Sequence, residues 1–207
     1  MSVITKIEQQ KENHERVNIY IDEAFALAAD MMLIYKLGLK KGQLIEKEKL
    51  EYLIEEEMVS RAKNTALHLL SYTGRTEKEM RDRLQKKDFE ETVIDRVISF
   101  LMEHRFIDDE ALAKRLTKNK ADVKKYGQNR IKQDLYNKGF HKDVIESSID
   151  EINEEDEFHR AMELAQKKKD SLKDTDKRKV YEKIGRFLVY RGYTYETVQK
   201  VLDRIVR

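Results

Sequence analysis

The feature that most constrains this 207-residue chain is a pattern that occurs three times, at spacings of 51 and 53 residues. Each copy has a leucine near the end of an apolar helical run, then a basic residue, a turn residue and an aromatic residue. The three leucines are Leu84, Leu135 and Leu188. Apolar residues at spacings of three and four on both sides of the turn predict two amphipathic helices joined by a tight turn.

Another helical run precedes each copy, so the repeating element is three short helices in about 50 residues. A bundle of this size buries little apolar surface alone, and neighbouring copies are therefore expected to pack end to end. Three linked copies predict an elongated, curved array. Proline is absent while Glu, Lys, Leu and Arg are abundant, which favours helix throughout this region.

The turn position is glycine twice and aspartate once, and an aromatic residue follows each time: Asp88–Phe89, Gly139–Phe140 and Gly192–Tyr193. Glycine suits the left-handed residue that ends a helix because it has no Cβ, and aspartate tolerates this conformation less well. The aromatics could stack on nucleic-acid bases. Their position directly after a helix-ending residue instead favours the hydrophobic contact that accompanies such a cap.

The N-terminal region differs from the repeats. Apolar and polar residues alternate from Val3 and again from Arg16, which predicts an antiparallel sheet of two or three strands. A sheet this small needs a helix to pack against, and residues 29–37, ended by Gly38, are the nearest candidate. The fold class is therefore mainly α, with tandem three-helix bundles after a small β extension. The predicted segments are 1–57 for the extension and connecting helix, then repeats at 58–108, 109–153 and 154–207.

Two helix starts carry recognisable caps. Thr76 followed by Glu79 fits a capping box, and Asp108 or Asp109 is placed to cap the next helix. The run from Asp108 to Glu110 could bind a metal, but capping and dipole compensation account for it more simply.

Motifs of catalysis are missing. There is no phosphate-binding glycine loop, and the five histidines lack a metal-ligand spacing. We expect no catalytic residue, no metal, no cofactor and no enzymatic activity. The chain has no cysteine, no secretory signal and no run approaching the roughly 18 apolar residues of a membrane span, so a cytoplasmic protein is expected.

Charge is segregated along the chain although the net charge is only +2. Residues 113–142 contain ten basic and two acidic side chains, residues 143–163 contain nine acidic and one basic, and residues 164–191 contain ten basic and four acidic. This pattern predicts a basic surface for a polyanion or an acidic protein. Solvated helix faces with i,i+4 ion pairs are the simpler alternative for many of these lysines.

The loop VKKYGQNR at 123–130 carries the most specific charge signal. A helix that starts just after Gly127 would offer free amide groups, with Lys124, Lys125 and Arg130 around them, as in anion sites at helix N-termini. Direct phosphate contact and a purely structural loop are both compatible with this pattern.

Four stretches in register with the repeat make the chain similar to a known family: SYTGRTEKEMRDRL (71–84), FIDDEALA (106–113), YGQNRIKQDLYNKGF (126–140) and RFLVYRGYTYETVQKVL (186–202). The chain resembles the RecX family of RecA modulators over nearly its whole length. Residues 4–22 look like the β-rich extension of such proteins from Gram-positive bacteria. Asp88 departs from the glycine usual at that position.

The resemblance implies a non-enzymatic modulator, typically an inhibitor, that lies in the groove of the RecA–single-strand-DNA filament and so affects recombination, DNA repair and the SOS response. The implied partners are the RecA filament and single-stranded DNA, with double-stranded DNA as a further candidate, and the protein is expected to act as a monomer without contacting membranes. The residues predicted to contact the partner or DNA are Lys87, Lys124, Lys125, Arg130, Lys132, Lys138, Lys179, Arg186 and Arg191.

Two alternatives differ in class. Tandem three-helix bundles also resemble helix-turn-helix modules, which would make the protein a free-standing DNA-binding regulator. The third helices begin EETVIDR, KDVIESS and YETVQKV, without the base-reading Arg, Asn or Gln such a helix presents at its start. A purely structural scaffold would leave the basic segment 113–142 unexplained.

Overall fold

A computed structural model of the protein describes residues 2–12, 14–172 and 176–205. Within these residues it contains ten helices and four strands. The chain divides into two compact units: unit 1 comprises residues 1–71 and 83–100, and unit 2 comprises residues 72–82 and 101–207. In the described ranges, every helix is too short or too polar to cross a membrane.

Unit 1 begins with an antiparallel sheet, as the alternation of apolar and polar residues predicts. Its strands are β1 (Ser2–Gln9), β2 (Arg16–Ile21), β3 (Ala24–Asp30) and β4 (Leu44–Ile45), in the order β3-β2-β1-β4. Val17, Ile19 and Ile21 of β2 are buried and the residues between them are not, so one face of the sheet forms a core. The two-residue β4 is too short to show a periodic pattern in the sequence.

Two helices complete the core of unit 1, α1 (Met31–Lys36) and α2 (Lys47–Tyr72). Leu33 of α1 and Leu50 of α2 belong to the same buried cluster as Ile4 and Ile19 of the sheet. The expectation that the sheet packs on a helix is confirmed.

The remaining helices follow the threefold pattern. The first repeat contains the C-terminal part of α2, α3 (Glu77–Gln85) and α4 (Glu91–Glu103); the second contains α5 (Asp109–Asp122), α6 (Gln128–Asn137) and α7 (Lys142–Asp150); the third contains α8 (Glu154–Asp170), α9 (Lys177–Tyr190) and α10 (Tyr195–Ile205). The second and third repeats, both in unit 2, each have a hydrophobic core of their own. The three-helix repeat is confirmed, while the segment boundaries near residues 57, 108 and 153 stay predictions.

The turns between second and third helices have the predicted conformation. Asp88, Gly139 and Gly192 have φ angles of +60°, +86° and +88°, all in the left-handed region. The aromatic residue after each turn is buried, which confirms that Phe89, Phe140 and Tyr193 are core residues rather than base-stacking groups.

The predicted caps are also present. The Glu79 amide donates to the Thr76 hydroxyl (3.0 Å), and the Thr76 amide donates to the Glu79 carboxylate (3.2 Å), which completes the capping box. The carboxylate of Asp108 accepts from the Ala111 amide at 2.8 Å and caps α5. Asp109 caps a different helix: its carboxylate accepts from the Glu77 amide (3.1 Å) at the start of α3.

Candidate interaction surface on the second and third repeats

The third repeat docks on the second through main-chain groups. The turn between α9 and α10 lies against the start of α6, where the Gly127 amide donates to the Arg191 carbonyl (3.0 Å) and the Asn129 amide donates to the Gly192 carbonyl (2.9 Å). A Cβ on Gly192 would collide with the main chain of Arg130. Glycine is therefore required at 192 for the close approach of two backbones as well as for the turn.

The second repeat docks at the equivalent place, the start of α3, but there the bonds involve side chains. The Thr76 hydroxyl donates to the Lys138 carbonyl (2.9 Å), and the Lys138 ammonium lies 2.7 Å from the Glu79 carboxylate. Thr76 and Gly127 stand at equivalent positions, eight residues before the repeat leucine. The recurring basic residue is thus a docking element at Lys138, and the equivalent Arg191 donates to the Lys124 carbonyl.

The amides at the start of α6 are not free, so the expectation of free amide groups at this helix start is wrong. The Gln128 amide donates to the Glu157 carboxylate at 2.9 Å, and the Gln128 side chain donates to its second oxygen at 3.2 Å. Glu157 comes from α8 and is 2% exposed. Burial raises the pKa of the Glu157 carboxyl, although the hydrogen bonds from Gln128 oppose the rise. A carboxylate of the chain itself takes the place of the expected anion.

Arginine and tyrosine side chains gather beside this junction. The guanidinium carbons of Arg130 and Arg191 lie 4.7 and 4.9 Å from the ring centre of Tyr126. Arg130 also lies 5.4 Å from the ring centre of Tyr190, whose side chain is exposed. These distances are within the range of cation–π attraction, which holds the two cations in place without neutralising them.

A groove between α8 and α9 continues from Tyr190. It has a volume of about 470 Å³ and is lined by Lys168, Leu172, Lys183, Arg186, Phe187 and Tyr190. Its charged lining residues are the cations Lys168, Lys183 and Arg186. We call the groove and the arginine–tyrosine cluster together the basic–aromatic strip; its members are Tyr126, Arg130, Lys168, Lys183, Arg186, Phe187, Tyr190 and Arg191.

The sequence matches four family models along its length. The model of the regulatory protein RecX N-terminal domain matches residues 2–46, and those of the first, second and third three-helix domains of RecX match residues 62–101, 108–149 and 154–202. The chain belongs to the RecX family. The predicted resemblance is thereby confirmed.

Individual relatives agree with this assignment. The regulatory protein RecX of Clostridioides difficile (strain 630) is 41% identical over 206 residues, which cover 100% of this chain and 97% of that protein. The RecX protein of Clostridium perfringens (strain SM101) is also 41% identical, over 99% of this chain and 97% of its own length. These relatives are Gram-positive, as the N-terminal extension suggests.

Two solved structures share the RecX fold. A crystal structure of a regulatory protein RecX has a TM-score of 0.71 at 24% identity and covers 98% of this chain and 100% of its own. The crystal structure of RecX from Lactobacillus salivarius has a TM-score of 0.70 at 25% identity and covers 72% of this chain and 97% of its own. The three-helix repeat is therefore a property of RecX proteins and not of this chain alone.

Three of the predicted contact residues, Arg130, Arg186 and Arg191, lie in the basic–aromatic strip. Lys124 is exposed beside Arg191, to which its carbonyl is joined. The structure therefore brings three of the nine predicted residues to one surface of this RecX protein, and the backbone of Lys124 lies beside it.

Other predicted residues are engaged elsewhere. Lys125 forms an ion pair with Glu163, and Lys138 forms one with Glu79. Among the described residues, five of the ten basic side chains in 113–142 make such pairs: Lys114, Lys120, Lys125, Lys138 and Lys142. The free basic surface is thus smaller than the sequence implies.

The Lys125–Glu163 pair strongly shifts the pKa of Glu163 but contributes little to the folding stability of the protein. The hydrogen bond from Lys125, followed by that from Lys167, lowers the pKa of Glu163 to about 2. Solvent reaches all three side chains, however, and exposed ion pairs contribute little to folding.

The last three predicted residues are not part of the strip. Lys132 and Lys179 are exposed, and Lys87 is exposed in unit 1. Within the described chain, none of these three ammonium groups forms an ion pair.

Several strip residues were missed by the sequence prediction. Lys183, Phe187 and Tyr190 were not predicted; with the predicted Arg186 they have the i, i+3, i+4, i+7 spacing that places side chains on one helix face. This face of α9 could have been recognised, because it combines two cations with two aromatics. Lys168 could not, because only the packing of α8 against α9 brings it to the groove.

Proposed function

We propose that this RecX protein is a non-enzymatic cytoplasmic modulator of RecA, which binds as a monomer in the groove of the RecA–single-strand-DNA filament and inhibits it. The basic–aromatic strip is the observation that carries the proposal. Proteins that hold single-stranded DNA without reading its sequence combine cations along the phosphates with aromatic rings for the bases. A filament groove presents such a strand together with protein.

The strip is suited to this task by its composition. Three cations line the α8–α9 groove, and Tyr190 is 73% exposed. An exposed ring flanked by cations can accept a base while the cations neutralise the adjoining phosphates.

The direct test is the DNA-dependent ATPase of RecA with this protein added in substoichiometric amounts. We expect inhibition by the natural protein and at least about tenfold weaker inhibition by a Lys183→Glu, Arg186→Glu variant, since both changes place repulsion in the groove. Lys177→Glu, on the same helix but outside the groove lining, is the matched control and should inhibit normally.

A free-standing helix-turn-helix regulator is the alternative function. The first turns of α4, α7 and α10 carry Glu91, Asp143 and Glu196, which would repel the phosphates beside a major groove. The ATPase experiment separates the two functions. Absence of inhibition together with tight, sequence-specific duplex binding would replace the RecA proposal.

A further inference from the structure

Unit 2 also carries a groove of opposite character. It has a volume of about 390 Å³ and lies where the end of α4 meets the starts of α3, α5 and α7. Its apolar lining residues are Met102, Ile107 and Val144, its carboxylates are Glu77, Asp108, Asp109 and Glu110, and its basic groups are Arg105 and His141. We call this the acidic groove.

The carboxylates of the acidic groove are crowded. Asp109 accepts from the Glu77 amide, yet burial raises the pKa of its carboxyl, and the charges of Glu77 and Asp108 add to the rise. Glu110 is exposed at the rim. Glu77 is paired with Arg81 at 2.8 Å and Asp108 caps α5, so a cation entering the groove would meet the exposed carboxylate of Glu110.

Apolar surface accompanies this charge. Met102, at the end of α4, is 50% exposed and lines the groove, and Phe106, just before Ile107, is also 50% exposed. Exposed apolar side chains that adjoin a concave surface with a polar rim are typical of protein-binding sites.

A metal ion does not account for the groove. In the described part of the chain, no group of three or more His, Asp or Glu side chains is arranged to hold one. An organic cation attached to an apolar group complements both the exposed Glu110 and the exposed Met102.

We infer that the acidic groove is a docking site for a protein segment that presents a lysine or arginine next to an apolar side chain. Resting on the proposed function, the inference identifies RecA in the filament as the source of this segment. The basic–aromatic strip and the acidic groove then bind different components, since one complements phosphates and the other complements a basic protein surface.

Two variants test the groove without touching the capping bonds of Asp108 or Asp109. Glu110→Lys reverses an exposed charge at the rim, and Met102→Gln removes an exposed apolar contact. Glu146→Lys is the matched control, because its carboxylate is exposed on α7 outside the groove lining. Thermal unfolding should show that all three variants are folded.

The measurement is binding to preassembled RecA–single-strand-DNA filaments by co-sedimentation, with binding to naked single-stranded DNA measured in parallel. We expect each groove variant to bind filaments about tenfold more weakly, a loss typical of a hot-spot contact, with naked-DNA binding unchanged. The control should differ from the natural protein by less than about twofold, in line with an uninvolved surface charge.

Normal filament binding by both groove variants would overturn the inference and leave the proposed function standing. Failure of the natural protein to bind filaments at all would instead refute the proposed function. A photo-crosslinking residue in place of Val144 adds an independent readout: it should link to RecA, and linkage to DNA alone would also overturn the inference.

Discussion

At the scale of single residues, glycine does two separate things in this chain. Gly38 and Gly192 both have positive φ, but a Cβ on Gly38 would meet open space whereas one on Gly192 would strike the main chain of Arg130. Asp88 occupies the equivalent turn of the first repeat at φ +60°. A turn alone therefore accepts aspartate. A turn that also docks on a neighbouring repeat requires glycine, because any side chain would collide with the neighbouring backbone.

Gly192→Ala should lower the free energy of unfolding by about 3 kcal/mol, because backbone strain and a steric clash occur together. Gly38→Ala, with the strain alone, should cost about 1 kcal/mol. Urea denaturation of the two variants measures both values. Equal losses would show that the turn conformation, and not the close approach, determines the need for glycine.

Asp88→Gly should raise the melting temperature slightly, since glycine relieves the left-handed strain at a cost of less than about 1 kcal/mol in backbone entropy. Differential scanning calorimetry is sensitive enough to measure the change. A clear fall in melting temperature would contradict the equivalence of Asp88 with Gly139 and Gly192.

At the scale of elements, two helix starts are completed by the following repeat. The first amide of α3 donates to Asp109 of α5, and the first amide of α6 donates to Glu157 of α8. Burial raises the pKa of both carboxyls. Each carboxylate thus satisfies an amide that a helix leaves unpaired, at an electrostatic cost that depends on pH.

The direction in which Glu157 makes folding stability depend on pH can be tested with Glu157→Gln. Because the pKa of Glu157 is raised in the folded protein, its protonated form favours folding below the ordinary value of 4.5, and this contribution is lost as the pH rises through the folded value. A glutamine oxygen can still accept from the Gln128 amide but does not ionise. The stability of the variant relative to the natural protein should therefore increase from pH 4 to pH 7.

Urea denaturation across this pH range provides the measurement. Glu146→Gln, at an exposed site on α7, should show no comparable trend. If the free energies of unfolding of the Glu157 variant and the natural protein change with pH in parallel, burial of the ionised Glu157 carboxylate does not destabilise the protein as proposed.

The elements themselves could be predicted from local patterns, whereas the site could not. Spacings of three and four gave the repeat helices, and alternation gave the sheet, because both patterns report which side of an element is buried. The expectation of free amides after Gly127 was wrong for a non-local reason. Glu157, which accepts from the Gln128 amide, lies on another helix, and only packing brings the two together. The charge run 113–142 likewise overstated the free basic surface, since partners such as Glu163 come from the next repeat.

At the scale of the whole molecule, opposite charges are sorted onto distinct surfaces of unit 2. The basic–aromatic strip has cations and rings, and the acidic groove has carboxylates beside exposed methionine. The small net charge of +2 conceals this division. Salt should consequently weaken binding to single-stranded DNA through the strip, and the slope of that effect reports how many cations take part.

The double variant Lys183→Glu, Arg186→Glu should reduce the magnitude of the slope of log affinity against log salt concentration by about 1.4. Each phosphate contact on a single strand contributes roughly 0.7 to this slope, and the variant removes two contacts. Tyr190→Ala should weaken binding by about 1–3 kcal/mol with the slope unchanged, because stacking does not release counterions. Fluorescence anisotropy with a labelled oligonucleotide over a salt series distinguishes the two effects. An unchanged slope in the double variant would remove the groove from the DNA-binding surface.

The docking of one repeat on the next has a consequence for how such a chain can diverge. At the third repeat the amides of Gly127 and Asn129 bond to the carbonyls of Arg191 and Gly192, and the side chains of Glu157 and Arg191 add further bonds. Mutations can redistribute charge over the outer helix faces while the attachment of the repeats persists. Each repeat contains both a docking turn and the helix start on which the turn of the next repeat docks. Duplication of the gene segment for one repeat would therefore produce a new copy that can dock on its neighbours without further mutation.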